Sequence, residues 1–408
     1  MNALLSVQVY NNPRSGALSI HLPGPGKIPM IITLSNSYTP RGRISSRPRA
    51  SHERKRPMLI IDGHLDIAFN ALDWNRDMTQ NITHMREAEA GMGQKGRGLN
   101  LVNFEELRRG EIGLFFVTVH ARLASMGKRF AGVRTQDIAY ARCKGELAYY
   151  QLMEARGFLR QIRDRAGLEA HLAEWEKDPS STPLGFVLTM EGADGIVAPE
   201  QVGEWFEDGL RVVSLVHYGI SSYSHGTQAP GGLTPRGGPM LEALEAAGII
   251  LDVSHLAEQA FWEALDLFGG RVLATHNCCR ALCDHDRQLD DRQIKALAER
   301  GGVIGTAMDV WMISPLWNRE AMDNTGITLE TVVDHIDHVC QLAGNADHAA
   351  IGTDLDGGYG KEQAPADMDT IADLQKIPAL LERRGYSAAD IANILHGNWI
   401  RLLRTAWS

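Results

Sequence analysis

Eight short, almost unbroken apolar runs, most of them separated by stretches of helical periodicity, constrain the fold of this chain more than any other feature. They cover residues 58–64, 112–119, 184–190, 210–217, 248–254, 271–275, 302–307 and 348–353. Runs this short and this uniformly apolar suit strands buried on both faces, the condition of a parallel sheet covered by helices. The 3.6-residue period appears over 135–164, 168–177, 239–247, 257–267, 291–300 and 329–343. Strand and helix in alternation build βαβ units. Eight of them close most economically into a (β/α)8 TIM barrel, with a doubly wound open sheet as the other arrangement. A chain of 408 residues fits one such barrel with insertions. The longest insertion, 67–111, follows the first strand, carries Gly91, Gly93, Gly96 and Gly98, and reads as a lid or rim. After the eighth strand, 368–384 and 388–404 read as closing helices, the second capped by Ser387.

The first 57 residues have a different character. They hold nine Lys/Arg and one acid, Glu53, with many Pro, Gly and Ser and little periodicity. We expect a basic, disordered leader over 1–57, or a start codon assigned upstream of Met58, and a barrel domain over 58–408. The leader lacks the order of a secretory signal. The whole chain has a net charge of −9, so the body beyond the leader is strongly acidic, which argues against a nucleic-acid partner. No apolar run reaches the ~18 residues of a spanning helix. Five cysteines (143, 278, 279, 283 and 340) form no regular framework, so reduced thiols and a cytoplasmic setting are expected. Cys279-x-x-x-Cys283 has no second pair to complete a zinc site and reads as packing.

The residues that end the strands carry the chemistry. The first strand gives His64 and Asp66, which share one side because they are two apart on extended backbone. Glu191 ends the third strand, His217 the fourth, His255 the fifth, His276 the sixth and Asp354 the eighth, with Asp356 two residues on. In a parallel barrel these ends open onto one face, where the βα loops assemble the site. Imidazole and carboxylate are ligands for a divalent metal, zinc above all. The set suffices for two metals: His64 and Asp66 on one, His255 and His276 on the other, and Glu191 between them as the anion that offsets their repulsion. Such a pair acidifies a shared water to near neutrality. His120 and His225 are further candidates for the rim, and the remaining histidines, His335 and His338 among them, read as surface or packing residues.

Taken together, these residues resemble the membrane (renal-type) dipeptidase family, peptidase family M19, among the amidohydrolase-like metal-dependent hydrolases. The resemblance runs from about Met58 to Arg404. It rests on Ile61-Asp62-Gly63-His64-Leu65-Asp66, Met190-Glu191-Gly192, Leu215-Val216-His217, Gly232-Leu233-Thr234-Pro235 and Leu251-Asp252-Val253-Ser254-His255. Thr275-His276-Asn277, Arg280-Ala281-Leu282-Cys283-Asp284 through Arg287, Gly352-Thr353-Asp354-Leu355-Asp356-Gly357 and Gly397-Asn398-Trp399 complete it. The resemblance implies two zinc ions on His64, Asp66, Glu191, His255 and His276, with Glu191 bridging. It implies that His217 stabilises the oxyanion, that Arg287 grips the substrate's C-terminal carboxylate, and that Asp354 orients the hydroxide and passes its proton to the leaving amine. Asp356 shares the last role as a second candidate. Leu65 departs from the family, which has Asn there, and nothing resembles a signal or a lipid-anchor tail.

The function expected is therefore a zinc-dependent dipeptidase in which metal-bound hydroxide attacks the peptide bond, with L-D as well as L-L dipeptides in range. The other enzymatic reading is a binuclear amidohydrolase acting on a cyclic amide, lactone or β-lactam, which Arg287 disfavours. A non-catalytic barrel would have lost at least one ligand, and all five are present. Expected partners are a dipeptide substrate, no nucleic acid and no membrane, with a homodimer left open. Selectivity is expected from 67–111 and from the loop over 221–239.

Overall fold

The computed structural model describes residues 58–124 and 131–408, together with three short strands nearer the N-terminus. The chain divides into two units, residues 1–55 and 56–408. In the first unit Gln8–Asn11 pairs antiparallel with Leu18–His21, which pairs antiparallel with Ile32–Thr33. The expectation of disorder over 1–57 otherwise falls on residues outside those described.

The second unit is a closed barrel of eight parallel strands. These are β1 (Ile60–Leu65), β2 (Ile112–His120), β3 (Leu184–Glu191), β4 (Leu210–Ser214), β5 (Ile250–Asp252), β6 (Val272–Asn277), β7 (Ile304–Thr306) and β8 (Ala349–Ile351). Each pairs in parallel with the next, and β8 returns to β1 through Ile351 and Asp62. The uniform apolarity of the runs now has its reason. Alternate residues face opposite ways, so Leu114, Phe116, Val187, Val212, Ile250, Leu273 and Val303 fill the barrel interior, while Phe115, Val117, Phe186 and Val213 pack under the helices. The C-terminal helix Asn398–Ala406 closes the floor. Trp399 lies 5.0 Å from the Phe116 ring and donates its indole N–H to the Ile351 carbonyl at 2.9 Å. Asn398 ties the same helix to the carbonyls of Ala346 and Ala349.

Two expectations need correction. The helix expected over 135–164 ends at Ala155, because Gly157 takes φ +79° and turns the chain into a strand, Leu159–Gln161. That strand pairs with the first residues of β3. The last segments are less regular than two simple helices. Pro378 opens the helix Ile377–Arg383 after a 3-10 turn, and a π-helical turn, Asn393–Gly397, precedes the final helix. Ser387 does cap its helix, by accepting from the Asp390 amide. The insertion 67–111, expected as a lid or rim, is a folded body of three helices whose Phe69 lines the barrel mouth. Its buried Arg76 donates to both oxygens of Glu89, to Asn70 and to the Gly96 carbonyl. Among the described residues no helix is long and apolar enough to cross a membrane.

Candidate active site

Two buried aspartates set the mouth of the barrel, and the sequence reading passed over both. Asp62 on β1 accepts from the amide and hydroxyl of Thr353, at 2.7 and 2.6 Å, and from the His64 amide at 3.2 Å. Asp252 on β5 accepts from the amide and hydroxyl of Thr275, at 3.1 and 2.6 Å, and from the Ser254 amide at 2.9 Å. Each aspartate ties its strand to a neighbour just before a histidine turns inward. The signal was present, as Asp-Gly-His at 62–64 and Asp-Val-Ser-His at 252–255, but it reads as strand until the partner threonines are placed. Glycine permits the closeness of this layer: a Cβ on Gly305 or Gly352 would lie 2.1 or 1.9 Å from the Thr275 carbonyl oxygen. The His64 and His276 rings consequently approach to 3.9 Å between centroids.

The five expected ligands converge. His255 Nε2 and His276 Nε2 lie 3.2 and 3.3 Å from Glu191 Oε1 and 3.1 Å from each other. His64 Nε2 lies 3.8 Å from Asp66 Oδ2 and 4.0 Å from Glu191 Oε1, with Asp354 Oδ1 at 3.9 Å. His255 sits at φ +68° and Asp354 at φ +57°, left-handed conformations that turn their side chains into the mouth. Thr275 settles one tautomer. Its only hydroxyl proton goes to Asp252, so it accepts from His276 Nδ1 at 2.9 Å and leaves the Nε2 lone pair facing inward.

The donor set fits divalent metal. Two ligand atoms bound tetrahedrally at 2.0–2.2 Å from one centre are about 3.4 Å apart, close to the separations here. His64 Nε2 is buried and has no hydrogen-bond partner, as expected of a nitrogen reserved for a metal. Burial drives His255 and His276 well below the ordinary imidazole range, so both are neutral ligands. Burial, with neighbouring Glu191, drives the Asp66 carboxyl well up, and burial with Asp66 and Glu191 does the same to Asp354. Burial opposes the Glu191 charge too, yet that carboxyl is held well down among the imidazoles of His217, His64, His255 and His276. Packing several carboxylates and bare imidazole nitrogens together calls for positive charge from outside the chain.

The substrate side lies above this cluster, in a cavity of about 200 Å³ lined in part by Phe69, Tyr218, Trp311 and Met312. Arg287 reaches it 3% exposed, donating from Nη2 to the His276 carbonyl at 2.6 Å, while Nη1 is buried without a partner. β4 stops at Ser214, so His217 lies in the following loop and not on the strand as expected, yet its Nε2 comes to 3.9 Å from Glu191 Oε1. Asp354 joins the cluster. Asp356 does not: it is buried against the insertion, accepting from the amides of Leu101 and Val102, so it anchors 67–111.

His120 does line the cavity, its Nδ1 bonded to the Glu191 carbonyl at 2.8 Å and 3.6 Å from Glu191 Oε2. His225 turns away to the Pro230 carbonyl. His335 is a buried bridge between the Cys279 amide and the Ile313 carbonyl, so of the surface and packing readings it takes the second. Sequence reasoning missed Arg122 and Asp309, both on the cavity wall. Each lies two or three residues beyond its strand, the offset at which His255 and Asp354 also stand, so position along the chain could have found them. Burial lifts the Asp309 carboxyl to about 7, and the Gln363 amide donates to both its oxygens at 2.7 Å. All five cysteines are free and buried.

Comparisons with known proteins point to one family. The profile of the membrane dipeptidase family (peptidase family M19) matches residues 50–407. An uncharacterized protein of the pqqA 5′ region of Klebsiella pneumoniae is 26% identical over 64% of this chain and 97% of its own. Dipeptidase tcpJ of Claviceps purpurea is 32% identical over 48% of this chain and 44% of its own. A metallopeptidase from Rhodobacter sphaeroides, solved with a phosphinate mimic of L-Ala-D-Ala, shares the fold with a TM-score of 0.70 at 21% identity, over 86% of this chain and 100% of its own. With its profile matched from one end of the barrel to the other and the ligand cluster assembled, the chain belongs to the membrane dipeptidase family, peptidase family M19, and is a metallopeptidase of the dipeptidase type.

Proposed function

We propose that the protein is a zinc-dependent dipeptidase that binds two metal ions, one on His64 and Asp66 and one on His255 and His276, with Glu191 shared. When bound, the zinc pair supplies a Lewis acid and a water acidified to near neutrality. The chain's residues do the rest. Arg287 Nη1, buried and without a protein partner, receives the free carboxylate of the dipeptide. His217 donates from Nε2 to the carbonyl oxygen as it gains charge. Asp354, held proton-ready by burial and by the neighbouring carboxylates, carries a proton to the leaving amine. The cavity, about 200 Å³, suits a small substrate.

The observation that carries the reading is this partnerless guanidinium nitrogen beside the ligand cluster. Because the Rhodobacter sphaeroides relative was solved with a phosphinate mimic of L-Ala-D-Ala, we extend the substrate range to L-D as well as L-L dipeptides. The test is hydrolysis of a panel of L-X-L-Y and L-X-D-Y dipeptides by zinc-loaded protein, beside the same peptides blocked at either terminus and beside tripeptides. Free dipeptides should dominate. Equal cleavage of C-terminally blocked substrates would replace this reading with a broader amidohydrolase.

A further inference from the structure

His217 is the only imidazole at the mouth whose outer nitrogen faces a cationic donor among the contacts described. Arg122 Nη1 lies 3.0 Å from His217 Nδ1. A guanidinium donates through every nitrogen and accepts through none, so Nδ1 must offer its lone pair. A neutral imidazole carries one proton, which then resides on Nε2, the nitrogen pointing toward Glu191 and the ligand cluster. We propose that Arg122 is a positioning residue that fixes this tautomer, so that His217 presents N–H, and not a lone pair, to the oxygen that becomes negative during attack. The inference rests on the reading of His217 as the oxyanion donor.

Contrast within the site supports it. His276 and His255 have hydroxyl partners on Nδ1, from Thr275 and Thr227 at 2.9 Å. A hydroxyl can accept, and for His276 the geometry requires it to, which leaves Nε2 bare for a metal. A guanidinium imposes the opposite tautomer. One mouth thus prepares imidazoles of identical chemistry for opposite tasks by the choice of partner. The remaining ring contacts of His217 hold its plane without directing its proton: His120, Tyr218 and His255 meet it edge to face at 4.6, 4.7 and 4.4 Å between centroids.

Arg122 is itself held in place. Its Nε donates to the Ala131 carbonyl at 2.9 Å, its own carbonyl accepts from the Val133 amide at 2.8 Å, and the next amide, Leu123, donates to Asp194 at 3.2 Å. Asp194 also accepts from the Ser222 amide at 2.8 Å, which ties the loops after β2, β3 and β4 together around the Arg122–His217 pair.

The experiment is a double-mutant cycle on the full-length, zinc-loaded enzyme, with Arg122→Met, Arg122→Lys, His217→Ala and Arg122→Met/His217→Ala. Arg122→Met keeps the bulk and removes the donors. It should lower kcat by at least about tenfold, toward the 10²–10³ that a lost oxyanion donor costs, with KM within about threefold and metal content unchanged. Affinity for a phosphinate dipeptide mimic should fall in parallel with kcat. Arg122→Lys, which keeps a donor, should recover most of the rate. In the His217→Ala background Arg122→Met should cost less than about twofold, because its effect is exerted through the missing ring. ¹⁵N-histidine spectra should show the His217 proton on Nε2 in the wild type and redistributed in Arg122→Met. A full cost of Arg122→Met without His217, an unchanged kcat in Arg122→Met, or a wild-type proton on Nδ1 would each overturn the inference. If His217→Ala alone costs nothing, the oxyanion role of His217 falls as well, and the cycle separates the two failures.

Discussion

Replacing Arg287 with methionine isolates the proposed grip on the substrate carboxylate. The side chain is 3% exposed, so a carboxylate docked against Nη1 sits in a site where water competes poorly. A charge-assisted hydrogen bond there is worth roughly 1.5–3 kcal/mol, and leaving the substrate anion desolvated and unpaired adds to the loss. We take ~2–4 kcal/mol in all, which at 1.36 kcal/mol per decade is about 30- to 1,000-fold in kcat/KM. KM should carry most of it. Arg287 Nη2 also supports the His276 carbonyl, so metal content and melting temperature are measured alongside to show that the ligand cluster survives. A matched perturbation leaves the protein untouched: amidating the C-terminus of the dipeptide should cost wild-type enzyme a similar factor. On Arg287→Met the free acid and the amide should become nearly equivalent. If the variant still prefers the free acid by the wild-type factor, another group binds the carboxylate and the assignment of Arg287 is wrong.

Asp354→Asn should depress kcat by 10²-fold or more with a small change in KM, because a carboxamide cannot relay a proton; steady-state kinetics on one good dipeptide decides it. Asp356→Ala should lower stability by about 2–4 kcal/mol in denaturant melts, since it strips the acceptor from the Leu101 and Val102 amides, and the folded fraction should keep its kcat. Glu146→Gln should stabilise the protein more at pH 8 than at pH 5. Burial lifts the Glu146 carboxyl to about 8, above its ordinary 4.5. Its contribution is therefore fully present below about 4.5 and is lost as pH rises through 8, whereas glutamine does not titrate. An equal difference in Tm at the two pH values would contradict that.

What the sequence made legible, and what it hid, follow from one physical division. Strand ends in a parallel barrel occupy a fixed place, so His64, Asp66, Glu191, His255 and His276 could be gathered onto one face from alternation alone. Arg122 and Asp309 stand no further beyond their strands than His255 does, but neither completes a ligand set, so neither drew notice, and His217 was placed on a strand that stops at Ser214. Asp354 and Asp356 sat equally well in the pattern. Only their hydrogen-bond partners, the mouth for one and the amides of 101 and 102 for the other, separate them. The long insertion read as a lid or a rim because its glycines are visible in sequence, whereas the buried Arg76–Glu89 pair that folds it joins residues thirteen apart.

The proposed function rests on two metal ions held by this cluster. Its most direct test is titration of metal-stripped protein with zinc, following hydrolysis of a free dipeptide and bound metal together. No activity is expected without metal, and the rate should saturate at two equivalents per chain, with Glu191→Gln losing both metal retention and turnover. Full activity in the metal-free protein, or saturation at one equivalent, would contradict it.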